Sequence, residues 1–327
     1  MSRETSSLPA TASAPKWWQN RWVMLGVMAM ILALLPLALP NAFYFDLVIR
    51  IMMSAAIAIA LNLLIGYTGQ ISLGHAGFFG IGAYGAAILT THFNMPPLVA
   101  LLLATLAAAA LAWLVAGTIL RLKGHYLAMA TLGLGIIISI VLINEAAWTG
   151  GPDGMSVDTL RIAGLALNGE KNWYWVFAAL LLAMIVLAQN LVDSPAGRAL
   201  QALHGSEIAA RVVGIDTTSF KTRVFVVSAA ATAAMGGLAA FYMGFITPNI
   251  AAFQHSIELV TMVVVGGMAS VYGSVFGAAL LSLLPQALAR FEGWETVIFG
   301  CILVGTMIFL PRGIVPSLVA LLRKKDS

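Results

Sequence analysis

Few side chains in this 327-residue sequence could do chemistry, and they gather in two places. The first is Gly66 to Gly77, where Thr68, Gln70, Ser72 and His75 sit beside Gly66, Gly69, Gly74 and Gly77, with apolar sequence on both sides. Glycine at this density interrupts a helix. Non-helical backbone at membrane depth must be buried in protein or line a wet cavity, and broken helices of this kind form transport sites. Gln70, Ser72 and His75 are therefore candidates to touch a translocation pathway. The competing reading is a packed loop in which Gln70 and His75 satisfy backbone groups.

The second place is the polar stretch from Asn190 to Lys221. Ser194-Pro195 reads as an N-cap followed by proline at the first helical position. Ser206 can cap a second short helix, Glu207-Ile208-Ala209-Ala210-Arg211-Val212-Val213, and Gly214 can end it in a left-handed conformation. Glu207 and Arg211 stand four apart and can pair. Ile208 with Val212, and Ala209 with Val213, give an apolar stripe next to small residues. Such a helix either lies at the lipid interface as filler or docks into a groove on a partner protein.

Other patterns carry less. No G-x-x-x-x-G-K-[ST] phosphate loop occurs, so ATP-driven work would need hydrolysis on another chain. Gly80-Ile81-Gly82-Ala83-Tyr84-Gly85 fits G-x-G-x-x-G, but a dinucleotide site needs a preceding strand and a soluble βαβ unit. These glycines sit in an apolar run and suit close helix packing. The same reading applies to Gly273-Ser274-Val275-Phe276-Gly277. Arg50 follows Asp46 by four residues and is expected to pair with it or to snorkel. Glu258 is read as an acid at a helix N-terminus. Asn62, Thr131, Ser139 and Asn144 are expected to hydrogen-bond between helices. The single cysteine, Cys301, can form no intrachain disulfide, and no metal-type spacing is present. No cofactor site and no nucleophile–base pair is expected, and the chain is read as no enzyme.

The elements that must position these residues are hydrophobic helices. The chain is 61% hydrophobic and only 9% charged, against about 25% charged in soluble domains. That deficit points to lipid as the solvent and away from a nucleic-acid partner, whose cations would cluster on a soluble face. Ten apolar segments lie near 22–39, 47–66, 76–92, 97–120, 125–144, 173–190, 222–245, 257–270, 274–290 and 295–311. The fold class is thus an all-α polytopic membrane protein with about ten transmembrane helices. Glycines around 257–290 make some of these short or broken. With the N-terminus in the cytoplasm, only Arg50, Arg161, Lys171 and Arg290 of the 17 cations fall outside, so both termini are read as cytoplasmic. The expected organisation is a disordered extension over 1–21, a permease domain over 22–311 and a tail over 312–327. A periplasmic loop at 145–172 and a cytoplasmic coupling loop at 191–221 interrupt the domain. Pro36 and Pro40 close the first run, which is read as an uncleaved helix. The outer loop holds Gly150-Gly151-Pro152-Asp153-Gly154, which favours turns, and 160–165 could form a short strand or hairpin.

Several stretches resemble one family. Glu207-Ile208-Ala209-Ala210, Gly214-Ile215-Asp216, Lys221 and Phe225-Val226-Val227-Ser228-Ala229 resemble the cytoplasmic "EAA" loop and following helix of ABC importer permeases. Among these the likeness is to the M-type permeases of high-affinity branched-chain amino acid importers. Leu61 to Ala76, Thr149 to Met155, Ser256 to Leu259, Val265 to Ala278 and Pro311-Arg312-Gly313 are similar to further motifs of that family. The alanine-rich N-terminal extension lies outside the resemblance, which covers roughly residues 45–315. The resemblance implies an inner-membrane importer of five parts: two homologous permeases, two ATPases that bind the EAA loops and hold ATP and Mg, and a periplasmic binding protein. It makes Glu207, Ala209, Ala210, Arg211 and Gly214 the ATPase-coupling residues. Relatives of this architecture also carry urea, short amides or aromatic acids. From another class, an ion-coupled carrier or channel stays open, although the spans lack the buried ionisable array such carriers keep.

Overall fold

The computed structural model describes residues 21–288 apart from 123, 163, 164 and 168, with scattered positions from 297 to 317 beyond. All of the expected N-terminal extension but Arg21, most of the tenth apolar segment and most of the tail lie outside the described residues. The chain divides into a unit of residues 1–39 and a unit of residues 40–327. In the first, α1 (Arg21–Ala38) is one helix of 18 residues with Pro36 in its last turn.

The second unit holds α2 (Ala42–Thr68), α3 (His75–Thr91), α4 (Pro97–Ile119), α5 (His125–Asn144), α6 (Ala146–Thr149), α7 (Glu170–Asp193), α8 (Pro195–Gly205), α9 (Glu207–Val212), α10 (Thr217–Met243), α11 (Phe253–Gly266) and α12 (Val271–Leu288). Each of the first nine apolar segments of the sequence thus finds a helix. Among the described residues six helices are long and apolar enough to cross a membrane: α1, α2, α4, α5, α7 and α10. Two strand pairs of two residues each complete the architecture. Met155–Ser156 (β1) pairs antiparallel with Phe245–Ile246 (β4), which ties the 145–169 loop to the end of α10. Arg161–Ile162 (β2) pairs with Leu165–Ala166 (β3), the hairpin of the two forms expected there.

The 27-residue helices α2 and α10 form the centre and are buried along most of their length. Helix α4 shows how the sequence sorts inside from outside. Ala100, Ala104, Ala108, Ala112 and Ala116 recur every four residues and make one buried stripe. Leu102, Trp113 and Leu114 on the remaining surface are 59%, 68% and 71% exposed. An apolar surface this extensive is unfavourable against water and natural against lipid. Small residues then bring backbones together. A Cβ at Gly82 would collide with the backbone of Ala233 on α10, and one at Gly236 with the backbone of Phe79 on α3. A Cβ at Gly85 would sit 2.9 Å from Ala104 Cβ on α4. The G-x-G-x-x-G run is therefore a packing face, as its place in an apolar helix predicts.

The crowded 257–290 stretch is an antiparallel helical hairpin. Gly266 of α11 meets the backbone at Gly273 of α12, and Gly277 meets the carbonyl of Met262. The G-x-x-x-G thus works within the chain. Fourteen residues give α11 about 21 Å of length, short of the ~30 Å hydrocarbon core. The connecting turn uses left-handed or otherwise positive φ at Gly267 (127°) and Ala269 (58°). Asn62 of α2 holds it. The Asn62 Oδ1 accepts from the Ala269 N–H at 2.9 Å. Its Nδ2 donates toward Ser270 O at 2.9 Å, Ser274 Oγ at 2.7 Å and Gly267 O at 3.3 Å. Asn62 lies six residues before the end of α2, so the turn stops about 9 Å inside that end. Asn144 differs from expectation: its amide donates to Ile140 O of its own helix at 2.9 Å. Replacing Asn62 by Leu leaves a buried turn without its partners, which costs about 1–3 kcal/mol. Thermal unfolding in detergent should show Asn62→Leu clearly destabilised and Asn144→Leu close to the unaltered protein.

Candidate functional site

The break between α2 and α3 is built from the end of α2 outward. Thr68 Oγ1 donates to Leu64 O at 2.6 Å. Gly69 then takes φ 70°, and the N–H groups of Gly69 and Gln70 turn back to Ile65 O and Leu64 O at 3.1 and 3.2 Å. This is the glycine-dependent helix stop that satisfies orphan carbonyls. Six residues later α3 starts, and its free N–H end is met by neighbours. The Leu73 N–H donates to Thr131 Oγ1 of α5 at 3.1 Å, and the Ala76 N–H to Ser256 Oγ of α11 at 3.1 Å.

His75 completes the closure. Ser228 Oγ of α10 donates to Ala60 O of α2 at 2.7 Å, so its hydrogen is committed. The 2.9 Å contact between Ser228 Oγ and His75 Nε2 then needs the hydrogen on Nε2. His75 Nδ1 is left as acceptor for the Ser72 hydroxyl at 2.9 Å. A neutral imidazole in one tautomer thus satisfies every member of a chain linking α2, the break, α3 and α10. Phe78 and Phe225 pack edge-on around the ring, with centroids 6.0 and 6.1 Å away.

Gln70, Ser72 and His75 are all buried. Of the two ways to tolerate a break, burial in protein is the one seen in this conformation. The three residues differ, however. Ser72 and His75 are bonded to protein, whereas neither Nε2 nor Oε1 of Gln70 has a hydrogen-bond partner among the described residues. The competing expectation that both Gln70 and His75 satisfy backbone groups therefore does not describe the bonds observed. His75 bonds hydroxyls, and the Gln70 side-chain amide bonds nothing among the described residues. Ser228 and Ser256, essential to the closure, stand out in the sequence only as small hydroxyls in apolar helices.

The second element is a run of three capped helices. Ser194 Oγ accepts from the Gly197 N–H at 3.2 Å, Ser206 Oγ from the Ala209 N–H at 3.2 Å, and Asp216 Oδ1 from the Ser219 N–H at 3.1 Å. Gly214 takes φ 87° with open space around it, so backbone conformation alone requires glycine there. Glu207 accepts from Arg211 Nη2 at 2.6 Å, the expected four-residue pair, and also from Lys221 Nζ of α10 at 2.7 Å. Arg211 Nε donates to Thr217 Oγ1 at 2.9 Å. Lys221 is only 12% exposed at its side chain, so removing either partner leaves a largely buried charge and costs more than breaking a surface pair. Sequence spacing shows the first pair and cannot show the second, which bridges 14 residues across a turn.

This network fixes how α9 presents itself. Ala210 faces inward, while Ala209 is exposed. Ile208, Val212 and Val213 are 75%, 82% and 74% exposed. On the other side α8 seats Leu200 and Leu203 in the bundle. Its His204 lies against the break, where a Cβ at Gly69 would come 3.1 Å from His204 Nδ1. The two candidate elements therefore touch each other.

At the other end of α2, Asp46 accepts from Arg50 Nε at 2.8 Å and from Tyr242 OH at 2.7 Å, which fulfils the expected Asp46–Arg50 pairing. Glu258 corrects the sequence reading. Helix α11 begins at Phe253, so Glu258 lies past its first turn and contacts His255 Nδ1 at 3.4 Å instead of capping a terminus.

Known proteins agree with this architecture. Residues 43–311 match the family described as branched-chain amino acid transport system / permease component. The high-affinity branched-chain amino acid transport system permease protein LivM of Salmonella typhimurium is 32% identical over 295 residues, covering 83% of this chain and 69% of the relative. LivM of Escherichia coli is 31% identical over 305 residues, covering 86% and 72%. LivH of Salmonella typhimurium, a permease of the same kind of system, is 25% identical over 281 residues, covering 80% and 90%. No solved structure matches the chain. The chain is a multi-pass membrane protein and belongs to the family of branched-chain amino acid transport system permease components.

Proposed function

We propose that this chain is the transmembrane permease subunit of an ATP-driven, binding-protein-dependent importer for branched-chain aliphatic amino acids. It works by alternating access beside a homologous second permease, in a bacterial inner membrane with both termini cytoplasmic. Its relatives' printed activities and the motifs over Glu207–Gly214 and Gly66–Gly77 support this reading. ATP and Mg belong to two separate ATPase subunits. The 145–172 loop faces the periplasmic binding protein, and the 191–221 loop faces the ATPases.

One observation carries the mechanism: α9 shows an exposed apolar face and is clamped to α10 by Glu207 and Lys221. Ile208, Val212 and Val213 form the surface that an ATPase groove covers. Ala209 permits close approach, and Ala210 seats the helix. Arg211 and Gly214 fix its pitch and its end. Movement of α9 is passed to α10 through the Glu207–Lys221 pair. It is also passed to the α2–α3 break through α8 and the His204–Gly69 contact. ATP binding can shift the permease only through a difference in affinity for its two states, and a rigidly attached α9 supplies that difference.

Within the break, Ser72 and His75 are positioning residues in this conformation. Gln70 is the group left to meet water or solute when the break opens, because its amide has no protein partner to lose among the described residues.

Two experiments on the assembled, reconstituted complex test these roles. Coupling free energies between sites run about 1–3 kcal/mol, so Glu207→Lys and Gly214→Pro should lower uptake per ATP hydrolysed by about 5- to 150-fold. Unchanged stimulation of ATP hydrolysis by loaded binding protein in both variants would contradict the docking assignment. In the break, Gln70→Met removes an unsatisfied buried amide, so thermal stability should hold or rise while uptake falls. His75→Ala should lower the melting temperature itself. Full uptake by Gln70→Met would remove it from the pathway.

A further inference from the structure

Three cavities surround Met243 at the end of the bundle that carries the 145–169 loop. The one between α2, α11 and α12 has a volume of about 440 Å³, within the range of small-ligand sites. Its wall is divided by chemistry. Met53, Met243, Met262 and Leu281 supply an apolar surface, while Arg50 and Glu258 supply opposite charges.

The two charges are not spent on each other. Arg50 Nε is engaged by Asp46, and no other part of the guanidinium has a hydrogen-bond partner among the described residues. Glu258 Oε2 has only the long 3.4 Å contact to His255 Nδ1, and Oε1 has none among the described residues. The Arg50 and Glu258 side chains are 51% and 40% exposed. Arg50 and Glu258 thus line one cavity without pairing with each other, Arg50 being held from one side by Asp46, and the methionines share the same wall. Arginine binds carboxylates through its planar fork. A free carboxylate binds ammonium. Methionine adapts to aliphatic groups of different branching.

We propose that this cavity is a transient subsite for a zwitterionic aliphatic α-amino acid. Arg50 holds the carboxylate, Glu258 holds the ammonium, and Met53, Met243, Met262 and Leu281 receive the side chain. The proposal rests on the importer reading above and places the first stop of the solute inside this chain. Both charged side chains are partly exposed, which weakens their hold on a solute. That suits a waypoint that must also release. Tight selection is left to the binding protein.

The test uses the complete importer in proteoliposomes with loaded binding protein and radiolabelled leucine. R50Q and E258Q each remove one charge-assisted hydrogen bond to the solute, and leucine uptake should fall about tenfold in each; R50Q also loses the exposed Asp46 pair, which contributes little to stability. R50K and E258D should recover much of the uptake. Melting temperature and assembly should not follow the uptake loss, which a merely structural role would require. Uptake that is unchanged in R50Q and E258Q, or that falls only in step with melting temperature, overturns the subsite while leaving the importer reading standing. Failure of the unaltered complex to import leucine removes the proposed substrate first and this subsite with it.

Discussion

A break inside a bundle of apolar helices leaves backbone N–H and C=O groups that lipid cannot satisfy. In this protein the break after Thr68 is closed by a relay of small hydroxyls around one neutral imidazole. Ala60 O, Ser228 Oγ, His75 and Ser72 Oγ form one unbroken hydrogen-bonded chain. Thr131 and Ser256, from two further helices, accept from the amides of Leu73 in the break and Ala76 at the start of α3. Five helices therefore share one satisfied polar knot. Opening it in place would leave several buried groups unpaired at about 1–3 kcal/mol each. The knot can then change only together with its neighbours, as a switching element must.

The 191–221 segment, proposed above to meet the ATPases, touches both central helices. Through Glu207 and Lys221 it grips the first turns of α10, and through His204 it rests on Gly69 at the end of α2. α10 in turn carries Ser228 into the knot. Under the proposed mechanism, force applied at α9 would have two routes to the break, one along α10 and one across α8. The hairpin of α11 and α12 stands on the same base, because Asn62 lies two residues beyond Ala60 on α2 and fixes the hairpin's turn. Small residues at Gly82, Gly236, Gly266 and Gly277 allow these helices to approach closely enough for such short polar links.

Much of this was legible in the chain because lipid makes the pattern blunt. Apolar runs near twenty residues located nine of the helices within a few residues of their ends. Local rules also sufficed for the caps at Ser194 and Ser206, the left-handed Gly214, the 160–165 hairpin and the Asp46–Arg50 pair, since each depends on residues within a few positions. Relations across the bundle were not legible. Nothing at Lys221 signals Glu207, and nothing at Ser228 signals His75, 153 positions away. Glu258 was misplaced because the polar residues before Ile257 begin α11 without looking apolar. The state of Gln70 also depended on tertiary context: the sequence shows a polar residue in a break, and only the packing shows that its side-chain amide has no partner among the described residues.

The account turns on whether the α2–α3 break is closed in the resting complex and moves when the ATPases cycle. A Ser72→Cys reporter in a Cys301→Ala background reads this directly through its reactivity to a small thiol reagent in the assembled importer. The reporter should be protected without nucleotide and become reactive when the ATPases are trapped in their closed state with loaded binding protein. Reactivity that is high at rest, or identical in the two states, would contradict it.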